Sequence, residues 1–305
     1  MKARIDPVLK NHSERLHYAT GELLGADDFR DEQTYHRRQL ARALLFLNGS
    51  GTIAGLRVVA QHRPAARPED NEVHLEVRPG LALDRAGRLI EVPRAACLRL
   101  RRWFDFFGKP FPGPGKDPHE NERAALLAAW NTAWANSAGI IPVDVFVEFH
   151  ECDRGLTPAF ASGPFDALDA SQPSRIRDAY RLSLVIRTEA KPPTAVDPWA
   201  GIKTEPDRVA AARQMSLEAW NTLAVPPPNP AGGDTDGPPR LDPAAVLLAR
   251  ISIRTDGKRQ PDWSAGTWPD PTPAPPAATE NTPNVDNTVR NFILPAAAIR
   301  ALAGV

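Results

Sequence analysis

The sequence predicts an α+β fold, mainly antiparallel β with inserted helices and long proline-rich loops. Three observations lead there. Several short segments alternate apolar and polar residues with period two, the mark of half-buried strands. Longer segments between them repeat their apolar residues at helical spacing. The regular strand–helix–strand alternation of a doubly wound parallel sheet is missing. Proline, 32 of 305 residues, is concentrated in a few segments and so marks the connections.

A helix is expected first. Asp27 and Asp28 are good N-cap residues, and Asp31 and Glu32 suit the positive end of the helix dipole. Phe29, Gln33, His36, Leu40, Ala43, Leu44 and Leu47 then recur at helical spacing and are expected to face the core, with Arg37, Arg38 and Arg42 on the wet side. Asn48-Gly49 ends the helix, and Ile53, Leu56, Val58 and Val59 open a strand. From 73 to 100 the chain reads as β-structure, with turns at Pro79-Gly80 and at Asp84-Arg85-Ala86-Gly87.

Residues 105–118 form a Pro/Gly loop, followed by a helix over about 119–136 with Leu126, Leu127, Trp130 and Trp134 inward. Val143, Val145, Val147 and Phe149 alternate as a strand. An irregular segment, 153–174, leads to a further strand through Leu182, Leu184 and Ile186. Pro206 suits the first turn of a helix over about 205–224, with Val209, Ala212, Leu217, Trp220 and Ala224 as its stripe. Ala245 to Ile253 reads as a buried strand between two proline-rich segments, 225–240 and 261–284. The expected organisation is a helix–turn–strand motif in 1–60, a β-rich domain in 61–255 and a proline-rich arm and tail in 256–305.

Lys plus Arg and Asp plus Glu both total 37, so the chain has no global field to hold nucleic acid or an anionic membrane. Zero net charge also weakens colloidal repulsion, which suits a protein packed against partners. The charged opening, Met-Lys-Ala-Arg-Ile-Asp, lacks the apolar run of a secretory signal, and no segment is apolar enough to span a bilayer. A cytoplasmic assembly is expected, with release or membrane association only as part of that assembly and no direct membrane insertion. Cys97 and Cys152, far apart, form no disulfide framework.

Catalytic signatures are sparse. Gly49-Ser50-Gly51-Thr52-Ile53-Ala54-Gly55 has phosphate-loop composition, but its spacing is one residue too long and a helix precedes it where a strand should. It reads as a helix stop and turn. Asp28, Glu32 and His36 share a helical face, as a metal half-site or as an ordinary solvated edge with i,i+4 pairs. His150 and Cys152 point one way if they lie on a strand, as a metal pair or a thiol with its base would. Trp103, Phe104, Phe106 and Phe107 beside Arg101 and Arg102 read as a loop packed on a sheet or meeting a neighbouring subunit, in preference to a base-stacking ribbon.

The run Leu16-His17-Tyr18-Ala19-Thr20-Gly21 leads through Asp27-Asp28-Phe29 and Glu32-Gln33-Thr34-Tyr35 to Gly49-Ser50-Gly51 and Gly55-Leu56-Arg57-Val58. It resembles an N-terminal pattern of uncharacterised structural proteins encoded with contractile injection systems and phage-tail-like particles. Arg78-Pro79-Gly80-Leu81-Ala82-Leu83-Asp84, Ser174-Arg175-Ile176 and Leu247-Leu248-Ala249-Arg250-Ile251 are similar to later parts of it. The chain departs from the pattern at Thr52 and Ile53, where valines are usual. The resemblance implies a structural subunit near a baseplate, oligomeric within its particle, with other subunits as partners and no catalytic residues, metal or cofactor. It directs attention to Tyr18, Gly21, Asp28, Phe29, Gln33, Tyr35, Gly49, Gly51, Gly55 and Leu56 as motif residues. Candidate contact residues are Trp103, Phe106, Phe107, Trp263, Trp268 and Phe292, with the proline-rich segments and the tail 285–305 expected to grip neighbours. Alternatives are a carbohydrate- or surface-binding module of a tail fibre and a metal-dependent hydrolase.

Overall fold

The structure is a computed structural model that describes residues 14–21, 23–63, 65, 67, 71–113, 116–158, 171–192, 205–223, 241–264, 268, 284–295 and 299. Helix α1 (Ala26–Asn48) leads into three antiparallel sheets. The class is α+β with mainly antiparallel strands, as the period-two segments require.

The first sheet has the order β1-β4-β5, from β1 (Gly51–Gly55), β4 (Gly80–Leu83) and β5 (Leu89–Val92). The second is β2-β3-β6, from β2 (Val58–Arg63), β3 (Glu72–Val77) and β6 (Ala96–Arg99). Two connections turn the same corner between these sheets. Gly55 and Leu56 both take left-handed backbone, φ 63° and 55°, which breaks β1 from β2. Pro79 and Gly80 make the matching break between β3 and β4. The Leu56 N–H donates to the Pro79 carbonyl at 3.2 Å, and the Arg78 N–H to the Arg57 carbonyl at 2.9 Å. A Cβ on Gly55 would lie 2.1 Å from the Pro79 oxygen, so the corner requires glycine there.

The third sheet runs β10-β9-β7-β8, from β7 (Ile140–Pro158), β8 (Ser171–Ile186), β9 (Val246–Arg254) and β10 (Val285–Asp286). Strand β9 pairs with β7 only from Ile140 to Val147, whereas β8 accompanies β7 to Pro158. Beyond Val147 the sheet therefore narrows to a two-stranded ribbon. The two ends of the segment expected to be irregular, 153–158 and 171–174, are strand, and 159–170 lies outside the described residues. Its strand residues, Asp153-Arg154-Gly155-Leu156-Thr157-Pro158 and Ser171-Gln172-Pro173-Ser174, carry no period-two apolar pattern, so the apolar signal fades while pairing continues.

Helix α2 (Leu100–Gly108) stands where the sequence suggested the end of a strand and the start of a loop. Leu100, Phe104 and Phe107, at i, i+4 and i+7, are its buried face. Helix α3 (Glu120–Asn136) packs on it, with Trp130 buried between Phe104 and Phe107 at ring separations of 4.9 and 6.0 Å. Leu127, expected inward, is 41% exposed. Helix α4 (Glu205–Leu223) lies beside α1 with Val209 and Leu217 exposed, against the expected stripe.

One contiguous apolar core joins these layers, from Leu56 and Val58 through Val73 and Trp130 to Ile253, Trp268 and Val285. Residues on both sides of the expected boundaries near 60 and 255 thus share one core. The segment 285–293, expected as part of a tail that grips neighbours, is woven into it. The Asn287 carboxamide accepts from the Val58 N–H at 2.9 Å and donates to the Val58 carbonyl at 3.0 Å, as a paired strand residue would. Thr52 and Phe292 form a parallel bridge. The segment 225–240 and most of 261–284 lie outside the described residues.

Candidate functional site

The motif residues of the N-terminal region build local structure. The Tyr18 hydroxyl donates to Glu32, strapping the entry segment onto α1, and that bond raises the phenol pKa. Gly21 turns with φ 88°. Gly25, not Asp27 or Asp28, is the N-cap of α1. Asp28 sits three residues on, where its carboxylate accepts from the Gly25 N–H at 2.7 Å. Tyr35 stands edge-on to His36 at 5.4 Å, and Gly49 closes the helix with φ 72°. Gly51 lies against the Asn291 backbone.

These residues do not converge on a reaction centre. Glu32 Oε1 is 4.0 Å from His36 Nε2, but Asp28 is turned to its cap. His150 and Cys152 do fall on one side of β7, where the cross-strand neighbour of Cys152 is Arg177. Among the described residues no three His, Cys, Asp or Glu side chains come together as a metal would need.

The six aromatic contact candidates divide. Phe107 and Trp268 are core residues, 3% and 1% exposed, which corrects the expectation that they face a neighbour. Trp103 and Phe106 pack against the same core from α2, and Trp263 stacks on Trp268 at 6.4 Å. Aromatics this large bury too much surface to be left wet when a core is adjacent. Phe292 alone of the six is exposed, at 51%, with the Arg290 guanidinium 5.7 Å from its ring. Among the described residues the other exposed aromatics, Tyr18, Phe29, Phe46 and Phe111, lie on α1 and in loops and not on a strand.

Among the described residues, the buried carboxylates Asp84, Asp144 and Glu148 and the arginines Arg88 and Arg290 are engaged in structural pairing, whereas Nε2 of the buried His62 has no partner. Asp144 is held by Arg187 at 2.5 Å and by Arg250 at 2.7 Å. Glu148 accepts from Arg181 at 2.6 Å and from the Ser183 hydroxyl. Asp84 accepts from Arg88 Nε at 2.6 Å and from the Ala86 and Arg88 N–H groups, while Arg88 also reaches Asp242 at 2.8 Å. Burial pushes the Asp84 carboxyl up against the pull of Arg88. For Arg88 burial is outweighed by Asp84 and Asp242, and its pKa is raised. The donors around Asp84 are those of a carboxylate, so the pair is ionised and carries no proton to transfer. Arg290 is buried among the Leu56 carbonyl at 2.8 Å, the Asn287 carbonyl at 3.0 Å and the Asn287 side chain. Desolvation lowers its pKa to about 10, which leaves it charged at neutral pH as a hub of backbone contacts.

An open depression of about 380 Å³ lies between α2 and α3, lined among others by Phe107, Lys109, Asp117 and Arg123. Three of its charged lining residues, Lys109, Asp117 and Arg123, are in ion pairs. Lys109 pairs with Asp105 at 2.7 Å and Arg123 with Asp117 at 2.9 Å.

What the fold leaves unmatched is surface. Helix α1 turns Ala41 and Leu45 to the body and half-buries Arg37, whose guanidinium meets Glu151 at 3.3 Å. Of the stripe expected to be buried, Leu44 is half-buried and the rest is outward, with Phe29 50%, Leu40 58% and Leu47 82% exposed and Gln33, His36 and Ala43 between them. The reason is close approach: the carbonyl of Ala41 sits against Gly87 of the β4–β5 turn, and a larger residue on that face would hold the helix off. The ribbon of β7 and β8 is the second unmatched element. Its side chains at 153–158 and 173–178 are exposed on both sides.

The described residues define an α+β protein whose open features are an outward apolar helix face and a two-stranded ribbon. No protein-family model matches the chain, and no curated protein is significantly similar to it.

Proposed function

We propose that this protein is a structural subunit of a large assembly, acting through protein–protein contacts, and that the assembly is a contractile injection system or phage-tail-like particle at or near its baseplate. The observation that carries the assembly reading is the outward stripe of α1. Phe29, Leu40 and Leu47 recur on one face together with Ala43, and large apolar side chains so aligned mark a surface that a partner covers. The two-stranded ribbon supports it, because such a ribbon is marginal in water without further packing. The kind of particle rests on the resemblance of residues 16–58. No helix among the described residues is long and apolar enough to cross a membrane.

The test is affinity purification of the tagged protein from its native cell, with mass spectrometry and negative-stain imaging. Sheath, tube and baseplate proteins co-purifying with tubular particles is the expected result. Recovery of the chain free of all other proteins and of particles would sink the reading.

A further inference from the structure

The ribbon sorts its charges by face. In an antiparallel ladder, residues directly opposite one another project to the same side, and successive residues project to opposite sides. Cys152 is opposite Arg177 and Arg154 is opposite Arg175, so Arg154, Arg175 and Arg177 share one face with His150 and Ala179. Glu151 is opposite Asp178 and Asp153 is opposite Ile176, so Glu151, Asp153 and Asp178 share the other face with Tyr180. Outward of Glu148, which Arg181 holds, one face has arginines and no acid; the reverse has acids and no base. Glu151 is engaged by Arg37 at the root of the ribbon. Farther out, Asp153, Arg154, Arg175, Arg177 and Asp178 are exposed, and none joins an ion pair among the described residues.

This arrangement is unfavourable for a hairpin standing alone. Arg154 against Arg175 and Glu151 against Asp178 place like charges directly across the ladder, which destabilises a strand pair. A one-residue redistribution would pair the same charges with opposites. The segregation gains only when each face meets a surface of the other sign.

We propose that the β7–β8 ribbon is a self-association element, and that its occupant is the ribbon of a second copy of this chain, arginine face against acidic face. An acidic partner would neutralise the arginines and leave Asp153 and Asp178 bare, whereas a second copy satisfies both faces with one chemistry. The contact is head-to-tail, so it propagates into a ring or a stack of subunits and does not close as a two-fold dimer. This deepens the assembly reading and rests on it only for the identity of the particle.

The experiment uses the full chain and analytical ultracentrifugation. Wild type is expected to form species larger than a dimer at about 50 mM salt, with association weakened about tenfold or more near 500 mM as the charges are screened. R154E/R175E/R177E gives a ribbon acidic on both faces, and D153R/D178R gives a basic outer ribbon. Each is expected to stay monomeric alone, and an equimolar mixture is expected to reassemble. Rescue in the mixture also shows that both variants are folded. Wild type that is monomeric at all salt concentrations, variants that self-associate like wild type, or folded variants that fail to reassemble would each overturn the proposal. Binding of wild type to an acidic peptide or to DNA with no self-association would overturn it in favour of that occupant. Partners co-purifying from cells with a chain that never self-associates would remove the ribbon contact while leaving the assembly reading in place.

Discussion

Gly87 shows how a single residue positions the outward helix. It holds φ 80° in the β4–β5 turn, and a Cβ there would lie 2.0 Å from the Ala41 carbonyl oxygen and 2.9 Å from the Ala41 Cα. Gly87→Ala therefore meets left-handed backbone strain and an overlap with helix backbone, which cannot rotate away as a side chain would. The expected cost is about 2–4 kcal/mol, read by urea denaturation with an unchanged m-value. A loss under about 0.5 kcal/mol, the ordinary effect of a surface substitution, would show that α1 does not sit on this turn. The Asp84-Arg85-Ala86-Gly87 turn was legible in the sequence, because acid and glycine spacing specify it locally. Its contact with Ala41 was not, since nothing in a linear pattern says which face of a helix a distant turn will meet.

At the scale of the element, α1 is an instance where periodicity gives the helix and misassigns its side. The spacing of Phe29, Leu40, Ala43 and Leu47 is that of a packed face, and it remains so if the packing partner is another molecule. The inward residues, Ala41 and Leu45, form the smaller apolar patch, flanked by arginines that the hydrophobic pattern marks as wet. Leu40→Glu with Leu47→Glu is expected to leave folding intact, with a stability change within about 0.5 kcal/mol because both sites are solvated. The same pair should abolish recovery of partners from cells. Partner recovery equal to wild type would remove α1 from the interface. The inserted helix α2 was missed for a related reason, since nine residues bounded by a strand and a Pro/Gly loop leave too little length for the helical period to declare itself.

For the whole molecule, the informative feature is the return of the chain through residues 284–293. Asn287 occupies both hydrogen-bonding groups of Val58, and Arg290 occupies the Leu56 carbonyl, so the last described segments tie the second and third sheets together. Asn287→Ala strips partners from a buried N–H and a buried C=O at once. The expected loss is roughly 2–5 kcal/mol in equilibrium unfolding, from the desolvation cost of each orphaned group. Retention of wild-type stability would mean that water or a neighbour replaces the carboxamide. The antiparallel strands and their pairing class were readable from alternation, while this clasp was not, because a polar Asn in a stretch rich in small residues carries no hydrophobic signal. The unmatched surfaces were legible as residues, in the helical stripe and in the charges near Arg175, and became sites only when the pairing register fixed which side each one faces.

That clasp also sets the order of events during synthesis. Val58 waits for a partner 229 residues later in the chain. At about 5–20 residues per second, the nascent β1–β3 region stands roughly 10–45 s on the ribosome with that backbone position unpaired and an apolar flank open. Contacts of such sequence separation also form slowly once the chain is free, because a long loop must close before they reward it. Closing this clasp is therefore a late step of folding, one that the β1–β3 region awaits long after it has been synthesised.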